Sequence, residues 1–226
     1  MSTLPRPVTT EDARRFRSKH DPARPGNRYI ADRRWSAIIG ALIGLQPPIL
    51  GKRYLEIGCG SGEGIARVAQ AGLGLASIVG IDLVLESETL LASRLARAAL
   101  ACADCTALPF PAESFDVTVQ SLVLTSILPA ESRRQAAREL VRVTRRGGHI
   151  VSLDLRYPNP ASSARGRLGP RGLQALFPDL QLVRSSTHLL LPPVARLLAR
   201  FPAACDLLEH IPFLRTYHLA AFRRAL

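Results

Sequence analysis

YLEIGCGSGEG, Tyr54 to Gly64, is the stretch whose reading decides the fold. A short apolar run (Tyr54, Leu55, Ile57) carries one acid, Glu56, and then breaks into Gly58, Gly60, Gly62 and Gly64. Glycine accepts positive φ and lets a ligand approach the backbone, so a strand that stops in such a turn forms a cradle. The residues that follow, 64–71, read as a helix, and the unbonded N–H groups of its first turn point back at the cradle. A strand–turn–helix junction of this kind is a nucleotide-cofactor site. The dinucleotide pattern G-x-G-x-x-G would require glycine at 58, 60 and 63. Position 63 is Glu, and its carboxylate would repel a pyrophosphate.

Working outward, SIVGIDL (77–83) reads as a second buried strand ending in Asp82. ALACADC (99–105) reads as a third strand followed by Asp104 and Cys105. An LPF loop (108–110) and a fourth strand, FDVTVQ (115–120), come next. A helix covers 132–144. RRGGHIVSLD (145–154) then turns into a fifth strand starting at His149. Glu56, Gly58, Gly60 and Gly62 match the pattern [D/E]-x-G-x-G-x-G. Together with the order and spacing of the other segments, over roughly 50–155, this resembles the class I S-adenosylmethionine-dependent methyltransferases, nearest the small-molecule type called methyltransferase-11. Arg146 stands where that family usually has proline.

The resemblance implies a Rossmann-like open seven-stranded α/β sheet of order 3-2-1-4-5-7-6, strand 7 antiparallel, with helices on both faces. It also implies S-adenosyl-L-methionine as cofactor. That molecule carries an ammonium and a sulfonium rather than a phosphate, so an acid at the strand end suits it. The implied cofactor residues are Tyr29, Glu56, Gly58, Cys59, Gly60, Gly62, Asp82, Leu83, Asp104, Cys105, Gln120 and Ser121. In the family, the acid at Asp82 accepts from both ribose hydroxyls, which suits an acceptor-only carboxylate, and the acid at Asp104 pairs with the adenine amine. A helix N-cap is the plainer reading of Asp82.

At 226 residues the chain is read as one methyltransferase domain. Residues 1–28, with four prolines, are expected to be a flexible basic segment or lid, and 29–48 an N-terminal helix bearing Trp35, Ile38, Ile39 and Leu42 on one face. Residues 50–155 form the cofactor core, and 156–226 the substrate side and closing strands. A helix is expected over 86–99, a loop over 157–170, a helix over 172–177, a sixth strand over 180–185 and a seventh over 216–223. No run is long and apolar enough to span a membrane and the N-terminus has no signal-peptide pattern. A cytoplasmic protein with no membrane partner is expected. Cys102 and Cys105 form a lone C-x-x-C without a second pair, so no metal is expected.

The formal net charge is +12, with 28 arginines and 2 lysines. Residues 1–35 hold 9 basic and 4 acidic side chains, 36–155 hold 11 of each, and 156–226 hold 10 and 3. The surplus therefore flanks a neutral cofactor core. It either concentrates an anionic small-molecule acceptor or reflects arginine bias on solvated faces. Nucleic acid is a poor fit, because aromatic residues make up 5% of the chain and no stacking motif accompanies the arginines.

Ligands of open α/β sheets sit at the carboxyl ends of the parallel strands. That rule selects Gln120 and Ser121 after strand 4, Asp154, Arg156 and Tyr157 after strand 5, Thr187 and His188 after strand 6, and the start of strand 7, Arg215 to His218. Arg156, Tyr157, Arg215 and Tyr217 are the expected substrate contacts. His188 is the first candidate base for an oxygen acceptor, followed by His218, His210, His20 and Asp154. A hydrogen-bonded structural histidine is the competing reading of each. His149 opens strand 5 at the opposite end. Many relatives in the family carry a histidine after strand 4, where this chain has Thr125, so no base carries over from there. The expected function is methylation of a small metabolite, anionic acceptors included, with oxygen favoured over nitrogen or carbon, in natural-product or glycan tailoring. A non-catalytic cofactor-binding protein and a nicotinamide oxidoreductase are the alternatives. Leu197, Leu198, Phe201, Leu207, Leu208 and Ile211 are read as core or as a cover over the acceptor.

Overall fold

The computed structural model describes residues 25–85, 97–157 and 167–226, apart from the side chains of Pro25 and Pro202. The N-terminal lid, His20, nearly all of the helix expected over 86–99 and much of the loop over 157–170 lie outside the described residues.

Helix α1 (Pro25–Ile43) starts four residues earlier than its apolar stripe suggested. It buries Trp35, Ile38 and Leu42. Two helical glycines, Gly26 and Gly40, each cost about 1 kcal/mol, and burial of three large side chains at about 1.5–3 kcal/mol apiece outweighs them. The chain then forms β1 (Arg53–Ile57), α2 (Glu63–Gln70), β2 (Ser77–Asp82), β3 (Ala99–Cys102) and β4 (Phe115–Ser121). A one-turn helix, α3 (Val123–Ser126), precedes α4 (Ala130–Val143) and β5 (Thr144–Leu155). After α5 (Pro170–Leu176) come β6 (Gln181–Leu190), α6 (Pro192–Leu198), α7 (Pro202–Glu209), a 3-10 turn at Pro212–Leu214 and β7 (Arg215–Arg223).

The sheet has seven strands in the order β3-β2-β1-β4-β5-β7-β6, as the resemblance implied. β1 to β5 pair in parallel, and β7 runs antiparallel to both β5 and β6. Alternation divides each strand between two apolar layers. Tyr54, Val119, Val151, Leu153, Tyr217 and Leu219 pack with α1 on one face. Leu55, Ile57, Ile150, Ala220 and Phe222 pack with α4 and α5 on the other.

Two strand ends differ from the sequence reading by several residues. β5 begins at Thr144 rather than His149. Phe115 pairs with Thr144 but Val117 with His149, so RRGG is an irregularity inside the strand's start. Gly147 has φ +70°, and a Cβ on Gly148 would lie 2.7 Å from the Asp116 carbonyl oxygen, which explains the two glycines. β6 continues to Leu190, so Thr187 and His188 lie within the strand instead of leaving it. Their partners His218 and Tyr217 on β7 hold them there.

The tightest junction joins α1, β1 and α2. A Cβ built on Gly64 would lie 2.0 Å from Trp35 Cζ2 and 2.5 Å from Glu56 Oε1. Glycine to alanine inside a helix ordinarily gains about 1 kcal/mol. At Gly64 the clash reverses the sign: Gly64→Ala is expected to destabilise by about 1–3 kcal/mol, the usual range for overpacking. Urea denaturation should show a lower midpoint at an unchanged slope. Trp35→Leu in the same background should recover part of the loss, because it removes the six-membered ring that the new methyl meets.

Candidate active site

The cradle has the backbone its glycines suggested. Gly58, Gly60 and Gly62 have φ of +71°, +55° and +78°. The Gly58 and Cys59 N–H groups donate to Ile81 O at 2.8 and 2.9 Å, pinning the turn to the end of β2. A Cβ on Gly58 would meet Val123 Cγ2 at 2.4 Å, so the turn also abuts α3 beyond β4. At Gly60 no atom lies within 4 Å of that position, and this side of the cradle is open. Asp82 Oδ2 accepts from the Gly60 N–H at 2.8 Å, and Oδ1 from the Val84 N–H at 3.2 Å. Asp82 thus holds the turn while its half-buried carboxylate stays beside the cradle.

Glu56 is 2% exposed, and its Oε2 has no hydrogen-bond partner among the described residues. Burial pushes its carboxyl well above the usual carboxylate range, with Arg34 pulling back and Asp82 and Glu63 adding to the rise. The Tyr54 hydroxyl is near enough to affect that ionisation, yet it too lacks a completed hydrogen bond. The Trp35 Nε1 and Arg34 Nε are likewise unpartnered. Glu63, the residue that argued against a pyrophosphate, is taken up by Arg67 at 2.8 Å and Arg34 at 3.9 Å.

On the adenine side, Asp104 is exposed and its Oδ1 caps the Thr106 N–H at 2.8 Å. Cys105 is partly buried, and burial pushes its thiol up to about 12. α4 anchors the loop after β3: Glu139 Oε2 accepts from the Leu108 N–H at 2.7 Å, and Arg142 donates to Phe110 O at 2.7 Å and Leu108 O at 2.9 Å. Leu83, next to Asp82, is 36% exposed.

Gln120 is fully buried. Its Oε1 accepts from the Val123 N–H at 2.9 Å, and its Nε2 contacts Ser152 and Asp154. Asp154, also fully buried, accepts from Ser152 Oγ at 2.7 Å and the Thr125 N–H at 3.1 Å. Burial raises its carboxyl above the ordinary range against those donors. Ser121 Oγ, one residue on, is buried and unpartnered. Leu122 follows at φ +67°, a left-handed conformation costly for a branched side chain, at the point where β4 breaks into α3.

The candidate bases separate. His188 pairs with Tyr217 and His218 with Thr187, so the two histidines point to opposite faces of the sheet. His188 accompanies α1 and bonds Ser186 Oγ at 2.8 Å. His218 stands directly across from Asp154, bonds Ser185 Oγ at 2.9 Å through Nε2 and leaves Nδ1 buried without a partner. Burial, reinforced by arginines, lowers both imidazoles below the ordinary value, so both are neutral bases at pH 7. His210 is exposed and bonds the Asp206 carbonyl.

Tyr29 lies on α1 with its hydroxyl 3.3 Å from Glu209 Oε1, and burial raises its pKa. Arg156 stacks 4.9 Å from the Tyr157 ring centroid and donates to Arg215 O at 3.1 Å. Arg215 Nε donates to Glu209 O. Tyr217 is 4% exposed and belongs to the core layer under α1. Trp35, Arg34 and Tyr54 were read only as helix, charge and strand residues. Their convergence on Glu56 had no local sequence signal, because it arises from the crossing of α1 over β1. Among the described residues no group of three metal-ligating side chains occurs.

Glu56 generates a prediction with a definite sign. Its folded pKa is raised, so the folded chain keeps a proton that an unfolded Glu, near 4.5, releases. The stability tied to that proton is full below the unfolded value and is lost as pH rises through the folded one. Glutamine has no proton to lose. Glu56→Gln should match wild type at about pH 4 and become progressively more stable than it towards pH 8, as read by urea denaturation across that range. Equal stability at every pH would show that Glu56 ionises freely.

Known proteins resemble this chain in sequence over its central part and in fold. Residues 55–152 match the family described as "Methyltransferase domain", methyltransferase-11. A demethylmenaquinone methyltransferase of Renibacterium salmoninarum is 30% identical over 126 residues, 56% of this chain and 49% of that protein. A phthiotriol/phenolphthiotriol dimycocerosates methyltransferase of Mycobacterium leprae is 38% identical over 116 residues, 50% of this chain and 42% of that one. The chain thus spans about half the length of these curated relatives. The N-methyltransferase NodS of Bradyrhizobium japonicum, solved with S-adenosyl-L-homocysteine, superposes with a TM-score of 0.68 at 18% identity, covering 95% of this chain and 97% of that one. The motif from Glu56 to Gly62, the sheet order and the matched span agree with one another, and residues 55–152 are similar to the methyltransferase-11 family, whose cofactor is S-adenosylmethionine.

Proposed function

We propose that the chain transfers a methyl group from S-adenosylmethionine to a hydroxyl oxygen of a small metabolite, anionic ones included, with natural-product or glycan tailoring as its setting. The observation that carries this reading is the buried Glu56 carboxyl, unpartnered at Oε2 beside an open glycine turn. A chain gains nothing in stability from such a group, and an amino-acid ammonium is the partner it suits. Glu56 would hold that ammonium, Asp82 the ribose hydroxyls, and the stretch from Asp104 to Cys105 the adenine. When bound, the cofactor supplies a methyl group already activated by its sulfonium. The protein's task is then to hold an acceptor oxygen at attack distance and to take its proton.

Sheet geometry ranks the bases. Counting from β1, β7 is the third strand along and β6 the fourth, so at about 4.8 Å per strand His218 is roughly 14 Å and His188 roughly 19 Å from the cradle. Asp154 is nearer, on β5, but it accepts from Ser152, Gln120 and the Thr125 N–H. We therefore place His218, with its unpartnered Nδ1, ahead of His188. Asp154 acts as a positioning residue across the strand. The acceptor class draws support from the triol named for the Mycobacterium leprae relative. Arg156, Tyr157 and Arg215 would frame the acceptor at the same end.

Two measurements check this. Saturating S-adenosylhomocysteine should raise the melting temperature by mass action, and Asp82→Ala should weaken its binding by about 1.5–3 kcal/mol, the range for hydrogen bonds to a charged group. A shift with NAD and none with S-adenosylhomocysteine would end the methyltransferase reading. With a hydroxylated acceptor in hand, His218→Gln should lower kcat by about 10²–10⁴-fold and remove the acidic limb of its pH profile, whereas His188→Gln should leave that limb in place. The reverse pattern would return the role to His188.

A further inference from the structure

Residues 191–214 leave β6 and return to β7 as one closed excursion. Leu190 pairs with Arg215, and the Leu191 N–H donates to Leu214 O at 3.1 Å. Its inner side is fixed. Ala195 and Cys205 are buried, and Leu198 and Leu208 pack on the core. Arg196 Nε donates to Asn27 on α1 at 2.9 Å. Both of its acids, Asp206 and Glu209, meet Arg33 of α1 at 2.9 and 2.7 Å.

Its outer side is apolar. Leu191, Leu197, Phe201, Leu207 and Phe213 are 36%, 79%, 64%, 71% and 72% exposed. Single exposed apolar residues are ordinary, but five large ones on one short excursion form a patch of the kind that meets a partner. Leu197, Phe201 and Leu207, read from the sequence as core or as a cover over the acceptor, are exposed and so are not core. Exposed arginines lie on the same face, Arg196 and Arg200 on the excursion and Arg28 on α1, together with one exposed acid, Asp206. The excursion's two acids share the single Arg33 guanidinium, and Arg28, Arg196 and Arg200 leave the face net positive.

The geometry points to this excursion as a docking surface for an anionic lipid bilayer. Leucine and phenylalanine enter the acyl boundary while arginines keep their guanidiniums at the phosphates. Charge selects this occupant over a second copy of the chain, since two such patches would bring arginines against arginines. Arg156 Nη1 lies 3.4 Å from Pro212 O, so the patch borders the ligand end of the sheet, and docking would turn that end towards the membrane. No described helix is long and apolar enough to cross a membrane; the contact is with the surface. The sequence reading expected no membrane partner, and the outward patch is what departs from it. The inference goes beyond the proposed methyl transfer, and its test needs no acceptor.

The test is flotation of the full chain with vesicles of phosphatidylcholine alone, or of equal parts phosphatidylcholine and phosphatidylglycerol. Wild type should float with the anionic vesicles and much less with the neutral ones. Arg196→Ala/Arg200→Ala should lower partitioning on the order of 25-fold, about fivefold for each basic residue near the surface. Leu197→Ser/Phe201→Ser/Phe213→Ser should abolish flotation while its circular-dichroism melt stays that of wild type. Absence of flotation by wild type, or flotation by the triple variant equal to wild type, overturns the proposal. So does a wild-type dimer that the triple variant converts to monomer, which would make the patch a contact between copies.

Discussion

One carboxyl, that of Glu56, constrains the rest of this structure. It is closed in by β1 behind, α2 beside it at Gly64 and the Trp35 ring of α1 above. A buried polar group left unsatisfied costs about 1–3 kcal/mol, and this junction carries several such groups: Glu56 Oε2, the Tyr54 hydroxyl and Trp35 Nε1. The arrangement persists because the apolar layers around it are continuous. Trp35, Ile38 and Leu42 bury into the same layer as Tyr54 and Val119, so α1 cannot lift away from Glu56 without exposing them. Apolar burial thereby holds in place a cluster of polar groups that adds nothing to stability on its own. At that cluster a ligand's charge would restore what folding removed.

What the sequence made legible follows from the same logic. A glycine turn between a strand and a helix is a local signal, and Gly58, Gly60 and Gly62 hold the left-handed angles that only glycine adopts cheaply. The order of β1 to β5 was legible because the family pattern spans those strands, whereas the places of β6 and β7 came only from the sheet that the resemblance implied. The ends of elements were less so. β6 runs on through His188 because β7 is long enough to pair with it, a fact that lies in another part of the chain. The helical turn Val123–Ser126 was hidden for a different reason. SLVLTSI carries no helix-start signal after strand 4, and the Gln120 carboxamide, accepting from the Val123 N–H, marks where the backbone turns.

Gln120 and Asp154 show how one position can be chosen correctly by topology and still be used differently by the chain. Both lie at the carboxyl ends of central strands, as expected of ligand contacts. Alternation sends their side chains to the α4 face, where they bond one another, Ser152 and the backbone of α3. Each side chain is held by hydrogen bonds within the fold. They set where β4 stops, which sets Ser121 and Leu122 at the edge of the cradle. A rule about strand ends selects a residue, and the side chain's face then decides whether it touches a ligand or holds one that does.

The arginine surplus divides in the same way. Arg142 donates to the carbonyls of Leu108 and Phe110, Arg133 to Ile127 O, Arg224 to Val141 O and Thr144 O, and Arg215 to Glu209 O. These guanidiniums fasten loops to strands. A five-donor planar fork does this better than an ammonium, which gives arginine over lysine a structural reason in addition to any bias of composition. A charge spent on a carbonyl is still a charge, however. Arg156 and Arg215 remain cationic at the ligand end while their N–H groups hold the 209–215 backbone. A hydrogen bond to a carbonyl therefore does not remove an arginine from the charge surplus, and a structural role for these side chains leaves their charge where the fold puts it.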